Sequence, residues 1–168
     1  KIYTKCCSLL LFLVYILIFM VNKHNINIKQ ILIASDHAGY PLKEIIKKYL
    51  INKRFKVLDL GTNSKNISVD YPIYAKKLSK KINSKNCGIL VCGSGIGMSI
   101  ASNRFKNVRS ALVSSSRESK LSRQHNNSNV ICLGARLIKK TTALKTVMSF
   151  LTTNFEGGRH LKRVKLLN

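Results

Sequence analysis

The residues best suited to chemistry begin at Cys92, which ends an apolar run and opens the turn Cys92-Gly93-Ser94-Gly95-Ile96-Gly97 ahead of a helical pattern. Glycine lets backbone N–H groups converge on an anion with no side chain in the way, and a helix N-terminus favours negative charge there. The turn reads as an oxyanion or phosphate nest, or simply as a tight turn. It is not a dinucleotide fingerprint, because Met98 stands where the last glycine of GxGxxG would fall, and it lacks the Gly-Lys-Ser/Thr of a Walker loop. The helix N-terminus and basic surroundings favour a thiolate at Cys92, although a lone cysteine is equally read as a buried, inert one. A base beside a place where negative charge can develop is the geometry of enolisation.

Other polar residues follow predicted strands. Ser35-Asp36-His37-Ala38-Gly39 comes after the first, Gly134-Ala135-Arg136 after the last, and Arg123-Gln124-His125-Asn126 closes a helix. Of the six acids, Asp36 and Asp70 are placed to face a crevice, with helix capping as the alternative for Asp36. His37, His125 and His160 all lie in such segments. The four histidines are far apart in sequence and none neighbours a CxxC pair, so no metal is expected and none of the glycine patterns calls for a cofactor.

These groups need a frame that aims them at one another. From residue 29 onward, β-branched runs at 30–34, 56–60, 88–91, 108–113 and 130–133 alternate with helical periodicity at 42–50, 73–82, 97–104, 118–126 and 141–153. This predicts an α/β fold with a five-stranded parallel sheet, doubly wound and Rossmann-like, with helices on both faces. In such a sheet the ligand crevice lies beyond the carboxyl ends of the strands. The paired Gly157-Gly158 break the last helix and leave a basic tail.

The chain has 168 residues, 30 Lys and Arg against six acids, and a formal net charge of +24. That balance favours anionic partners: phosphorylated metabolites, nucleic acid or an acidic membrane surface. No recognition helix, zinc knuckle or RNA-binding motif accompanies it, so nucleic acid is not the expected partner. Five cysteines without a CxxC pair fit a reducing compartment. Residues 1–28 contain an apolar run at 9–21 that reads as a targeting segment or short anchor, or as an artefact of gene-start assignment ahead of Met20. The second reading places the product in the cytoplasm and the first sends it to a secretory or organellar route. Residues 29–168 form the expected single domain.

The segments Asp36-His37-Ala38-Gly39, Asp70-Tyr71-Pro72, Cys92 to Ala101, Arg123-Gln124-His125-Asn126 and Gly157-Gly158-Arg159-His160 closely resemble the ribose-5-phosphate isomerase B and galactose-6-phosphate isomerase family. The resemblance implies a metal-free aldose-ketose isomerase that interconverts ribose 5-phosphate and ribulose 5-phosphate in the pentose phosphate pathway. Cys92 would be the base and the N–H groups of Gly93, Gly95, Ile96 and Gly97, with Ser94, would stabilise an enediolate. Asp36 would orient a substrate hydroxyl, His125 would assist ring opening and Asn126 would hold substrate oxygens. His37, Arg136, Arg159 and Arg163 match phosphate-binding positions, and Tyr71 would line the sugar pocket.

The resemblance also implies a homodimer, sometimes paired into tetramers, with the site shared between subunits. The related substrates galactose 6-phosphate and allose 6-phosphate are the alternatives. Galactose-type members divide these residues between two different subunits, whereas one chain carries them all here. Ser115-Ser116-Arg117 departs from the Asp-Pro-Tyr of many members and leaves the capping of the fourth helix open.

Overall fold

The computed structural model describes residues 28–167. The apolar run at 9–21 and the alternative start at Met20 lie outside the described residues. Among those residues, no helix is long and apolar enough to cross a membrane.

Five strands and six helices alternate: β1 Gln30–Ser35, α1 Tyr40–Asn52, β2 Val57–Asp59, α2 Tyr71–Ser79, β3 Asn86–Cys92, α3 Ile96–Ser102, β4 Ser110–Leu112, α4 Ser116–Asn126, β5 Val130–Gly134, α5 Lys140–Thr152 and α6 Gly158–Lys165. The strands pair in the order β2-β1-β3-β5-β4, and every pairing is parallel. One face packs Ile31, Ile33, Ile89 and Ile131 against Leu42 and Ile46 of α1 and Val147 and Phe150 of α5. The other packs Leu32, Leu90 and Cys132 against Leu78 of α2 and Met98 of α3. The sheet is therefore wound on both sides, as the alternating pattern predicts.

Boundaries differ where local chemistry overrides periodicity. The edge strands β2 and β4 span three residues each, fewer than the apolar runs at 56–60 and 108–113, because each has a pairing partner on one side only. β3 runs longer than 88–91 and includes Cys92. α4 starts at Ser116, two residues before the expected 118, because Ser115 Oγ accepts from the Glu118 N–H at 3.2 Å while Glu118 reaches back in a capping box. The departure at Ser115 thus supplies its own cap. Past Gly157-Gly158 the basic tail forms α6, which buries His160 and Val164.

Lys43 is fully buried, an arrangement that hydrophobic periodicity on α1 does not disclose. Its Nζ donates to both Asp59 oxygens, at 2.8 and 2.6 Å, and lies 3.0 Å from Glu44 Oε1; Lys47 closes the network at 2.7 Å from each acid. Burial alone would raise the Asp59 carboxyl, but the bonds from Lys43 and Lys47 hold it below its ordinary value. Asp59→Ala leaves Lys43 buried with half its compensation and is expected to cost about 3 kcal/mol, read as a lower midpoint in denaturant. A depressed carboxyl stabilises the fold above its unfolded pKa and loses that effect as pH falls through the carboxylate range. The gap between wild type and variant should therefore narrow in acid.

Candidate active site

The order β2-β1-β3 makes a topological switch point between β1 and β3, because the chain leaves β1 for α1 on one face and β3 for α3 on the other. Loops that part in this way open a crevice at the carboxyl ends of the strands. The crevice here measures about 350 Å³ and is walled by Asp36 and His37 from the end of β1, Cys92 and Ser94 from the end of β3, Tyr71 from α2 and Arg136 after β5.

Cys92 is 5% exposed, and its side chain lines the crevice although its neighbours belong to the core face shared with α2 and α3. The Gly95 N–H donates to Cys92 Sγ at 3.0 Å, a donor that suits a sulfur carrying negative charge. Gly95 adopts φ +80°, which turns the chain so that its N–H faces back to the sulfur and α3 starts at Ile96. Ser94 Oγ accepts from the Ile96 N–H at 3.3 Å. Tyr71 lies flat against the start of α3, where a Cβ on Gly97 would come within 2.6 Å of its ring. Among the described residues the other two thiols are different in kind: Cys87 and Cys132 are fully buried, and burial pushes both up to about 12.

Asp36 is 7% exposed and its Oδ1 accepts from the Gly39 N–H at 2.8 Å, so it stabilises the turn into α1 while lining the crevice. The cap itself is Gly39. His37 Nδ1 accepts from the Val69 N–H at 3.1 Å, which leaves the ring proton on Nε2, free to donate to an anion. Arg136 packs against Gly93, and its backbone N–H donates to the Gly93 carbonyl at 3.0 Å. Asp70 opens α2 as its N-cap and is not part of the crevice wall, contrary to the expectation from sequence.

His125, Asn126 and Arg163 lie elsewhere. A helix between parallel strands leaves the carboxyl end of one and returns to the amino end of the next, so the last residues of α4 sit at the end of the sheet opposite Cys92. There they line a second cleft of about 320 Å³ with His160 and Val164, and it shares no wall residue with the first. Arg159 is exposed and lines neither. Within one chain the predicted site is thus split into two half-sites.

Two further residues complete the second half-site. The His125 and His160 rings stack at 4.3 Å between centroids and 6° between planes, and Glu156 Oε2 lies 3.8 and 3.7 Å from their Nε2 atoms. His160 is held below the ordinary histidine pKa, first by burial and then by the neighbouring His125 and Arg159. One carboxylate thus stands beside both imidazoles. The same three residues are close enough to be considered metal ligands. However, an imidazole binds a metal in its own plane, and an ion in the plane of one ring lies outside the parallel plane of the other. The stack therefore suits proton handling. Sequence reading placed His160 in a motif without a role and left Glu156 outside it; their i, i+4 spacing across the glycine pair was the available signal.

A doubly wound parallel sheet whose switch point holds a thiol beside backbone N–H donors, flanked by an imidazole and a guanidinium for an anionic group, is the equipment of a sugar-phosphate aldose-ketose isomerase. The ribose/galactose isomerase family model matches residues 31–167. The chain belongs to this family. It is 45% identical over 137 residues to the probable ribose-5-phosphate isomerase B of Mycoplasma genitalium, covering 80% of this chain and 90% of that protein. The ribose 5-phosphate isomerase B structure from Anaplasma phagocytophilum superposes with a TM-score of 0.83 at 44% identity, over 86% of this chain and 99% of that one. The Mycoplasma genitalium structure with bound ribulose-5-phosphate does so with a TM-score of 0.79 at 44% identity, over 82% and 93%.

Proposed function

We propose that the protein interconverts ribose 5-phosphate and ribulose 5-phosphate, a reaction of the pentose phosphate pathway, through a cis-enediolate. The observation that carries this reading is the Gly95 N–H on Cys92 Sγ at the wall of the switch-point crevice. The Cys92 thiolate removes the C2 proton of the open-chain aldose, the O1 oxygen takes up charge against the N–H groups of the Gly93 to Gly97 turn and Ser94, the O2 hydroxyl proton passes to O1, and the proton held by Cys92 is returned to C1 to leave the ketone at C2. Asp36 holds a substrate hydroxyl and Tyr71 lines the sugar pocket. His37 and Arg136 donate to the phosphate.

His125 opens the sugar ring by proton transfer, with Asn126 beside it and Arg159 and Arg163 reaching toward the phosphate. Because these residues sit at the opposite end of the sheet, we place them in the active site of a neighbouring copy. The working unit is then a homodimer, or a pair of dimers, with two shared sites per dimer. A solved relative at 44% identity holds ribulose-5-phosphate, which supports the pentose over the hexose alternatives. Steady-state rates on pentose 5-phosphates and on galactose and allose 6-phosphates test this. The pentose should have the larger kcat/KM, and a clear preference for a hexose would overturn the assignment.

A further inference from the structure

At the amino ends of the strands, a cavity of about 400 Å³ opens between the turn before β3, the C-terminal end of α4 and the segment after α5. Arg109 and Arg123 both reach into it. Arg109 Nε donates to the Asn127 carbonyl at 3.0 Å and Arg123 Nε to the Thr153 carbonyl at 3.2 Å, while Arg123 Nη1 is shared between Asn127 Oδ1 and the Ser128 carbonyl. A guanidinium carries five N–H donors in a fork. Among the described residues, the remaining donors of Arg109 and the Nη2 group of Arg123 therefore have no protein acceptor, and neither fork meets a carboxylate.

The acid count extends that statement to the side chains of the whole sequence. Six acids exist, and residues 1–27 contain none of them. Asp36 is held by the Gly39 N–H, Glu44 and Asp59 by Lys43 and Lys47, Glu118 by its capping box, and Glu156 faces the two histidines; Asp70 opens α2. Asp70 makes no side-chain bond among the described residues but lies at the start of its helix, at the opposite end of the sheet, so no acidic side chain neutralises the two arginines. Burial lowers the pKa of both guanidiniums, and the positive charge of Arg109 lowers Arg123 further. Both are partly buried and line one cavity, where two uncompensated like charges repel each other, and an external anion relieves that repulsion. Ser84 and Asn154 stand on the rim with no hydrogen bond to the other described residues, placed to add neutral donors.

We infer that this cavity is a second anion site, which takes the phosphoryl group of inorganic phosphate or of a small phosphate monoester between Arg109 and Arg123. It shares no wall residue with either half-site of the isomerase reading and does not depend on that reading. Guanidinium forks match phosphate oxygens in pairs, and two forks suit a dianion.

Calorimetric titration of the full chain with inorganic phosphate at constant ionic strength tests the inference. Arg109→Gln removes one charge, and Ser84→Asp sets a carboxylate on the exposed rim. Each should eliminate one equivalent of phosphate bound per chain, while kcat/KM for isomerisation stays within about twofold of wild type. Ser84→Asp should also raise the thermal midpoint in phosphate-free buffer, since it supplies the missing counter-charge, and it serves where Arg109→Gln folds poorly. A reduced pentitol 5-phosphate displaces this equivalent if the site accepts monoesters and spares it if the ligand is inorganic phosphate; either result supports the site. The same phosphate stoichiometry in wild type and both variants would overturn it.

Discussion

Cys92→Ala is expected to lower kcat for ribose 5-phosphate isomerisation by roughly a thousandfold or more, the scale of a positioned general base, and to leave phosphate affinity nearly unchanged. Removal of the sulfur leaves His37 with its Nε2–H, held by the Val69 N–H on Nδ1, and leaves Arg136 packed on Gly93. The N–H groups of the nest also stay in place, because Gly95 owes its φ of +80° to the turn into α3 and not to the thiol. A competitive phosphate ester should therefore bind the variant with the affinity it has for wild type. The loss belongs to the proton-transfer step, and exchange of the C2 proton with solvent deuterium should stop with it. Substantial turnover in the variant would remove Cys92 from the role of base.

The cysteine could be placed from sequence because three local signals coincide: an apolar run that must be a buried strand, glycines that force a turn, and a helical pattern that follows at once. The same logic fails for the buried ion network. Lys43 reads as one more polar position on an amphipathic helix, and only the pairing of β2 with β1 brings Asp59 within 2.8 Å of it. Strand order is a non-local property that alternating periodicity does not contain. It decides that β5 lies between β3 and β4, and so where Arg136 joins the crevice.

The short edge strands have the same origin. The runs at 56–60 and 108–113 bury only their flanking Leu60, Val108 and Val113, while hydrogen bonding to a single neighbour limits each ladder to three pairs. The residues of the second half-site were legible as motifs, but their distance from Cys92 was not. His125 ends α4, and in a βαβ unit the end of a helix belongs to the amino side of the sheet. Elementary topology was enough to predict this separation once the strands were known to be parallel.

That separation leads to the second large effect. Cys92→Ala and His125→Ala should each be nearly inactive alone, the latter by about a hundredfold or more when ring opening limits the rate. If each active site joins the Cys92 half-site of one copy to the His125 half-site of another, mixing the two variants regenerates function. In a dimer containing one copy of each variant, one site collects both defects and the other has both native groups. Random exchange of equal amounts gives half mixed dimers with one intact site in two, so about one quarter of wild-type activity should return. The recovered activity should grow with time at the rate of subunit exchange and should keep the wild-type KM, since every working site is chemically complete. Activity that never exceeds the sum of the separate variants, under conditions where labelled subunits do exchange, would mean that Cys92 and His125 do not meet across an interface. The stacked histidines and Glu156 would then act somewhere other than on the substrate at the Cys92 nest.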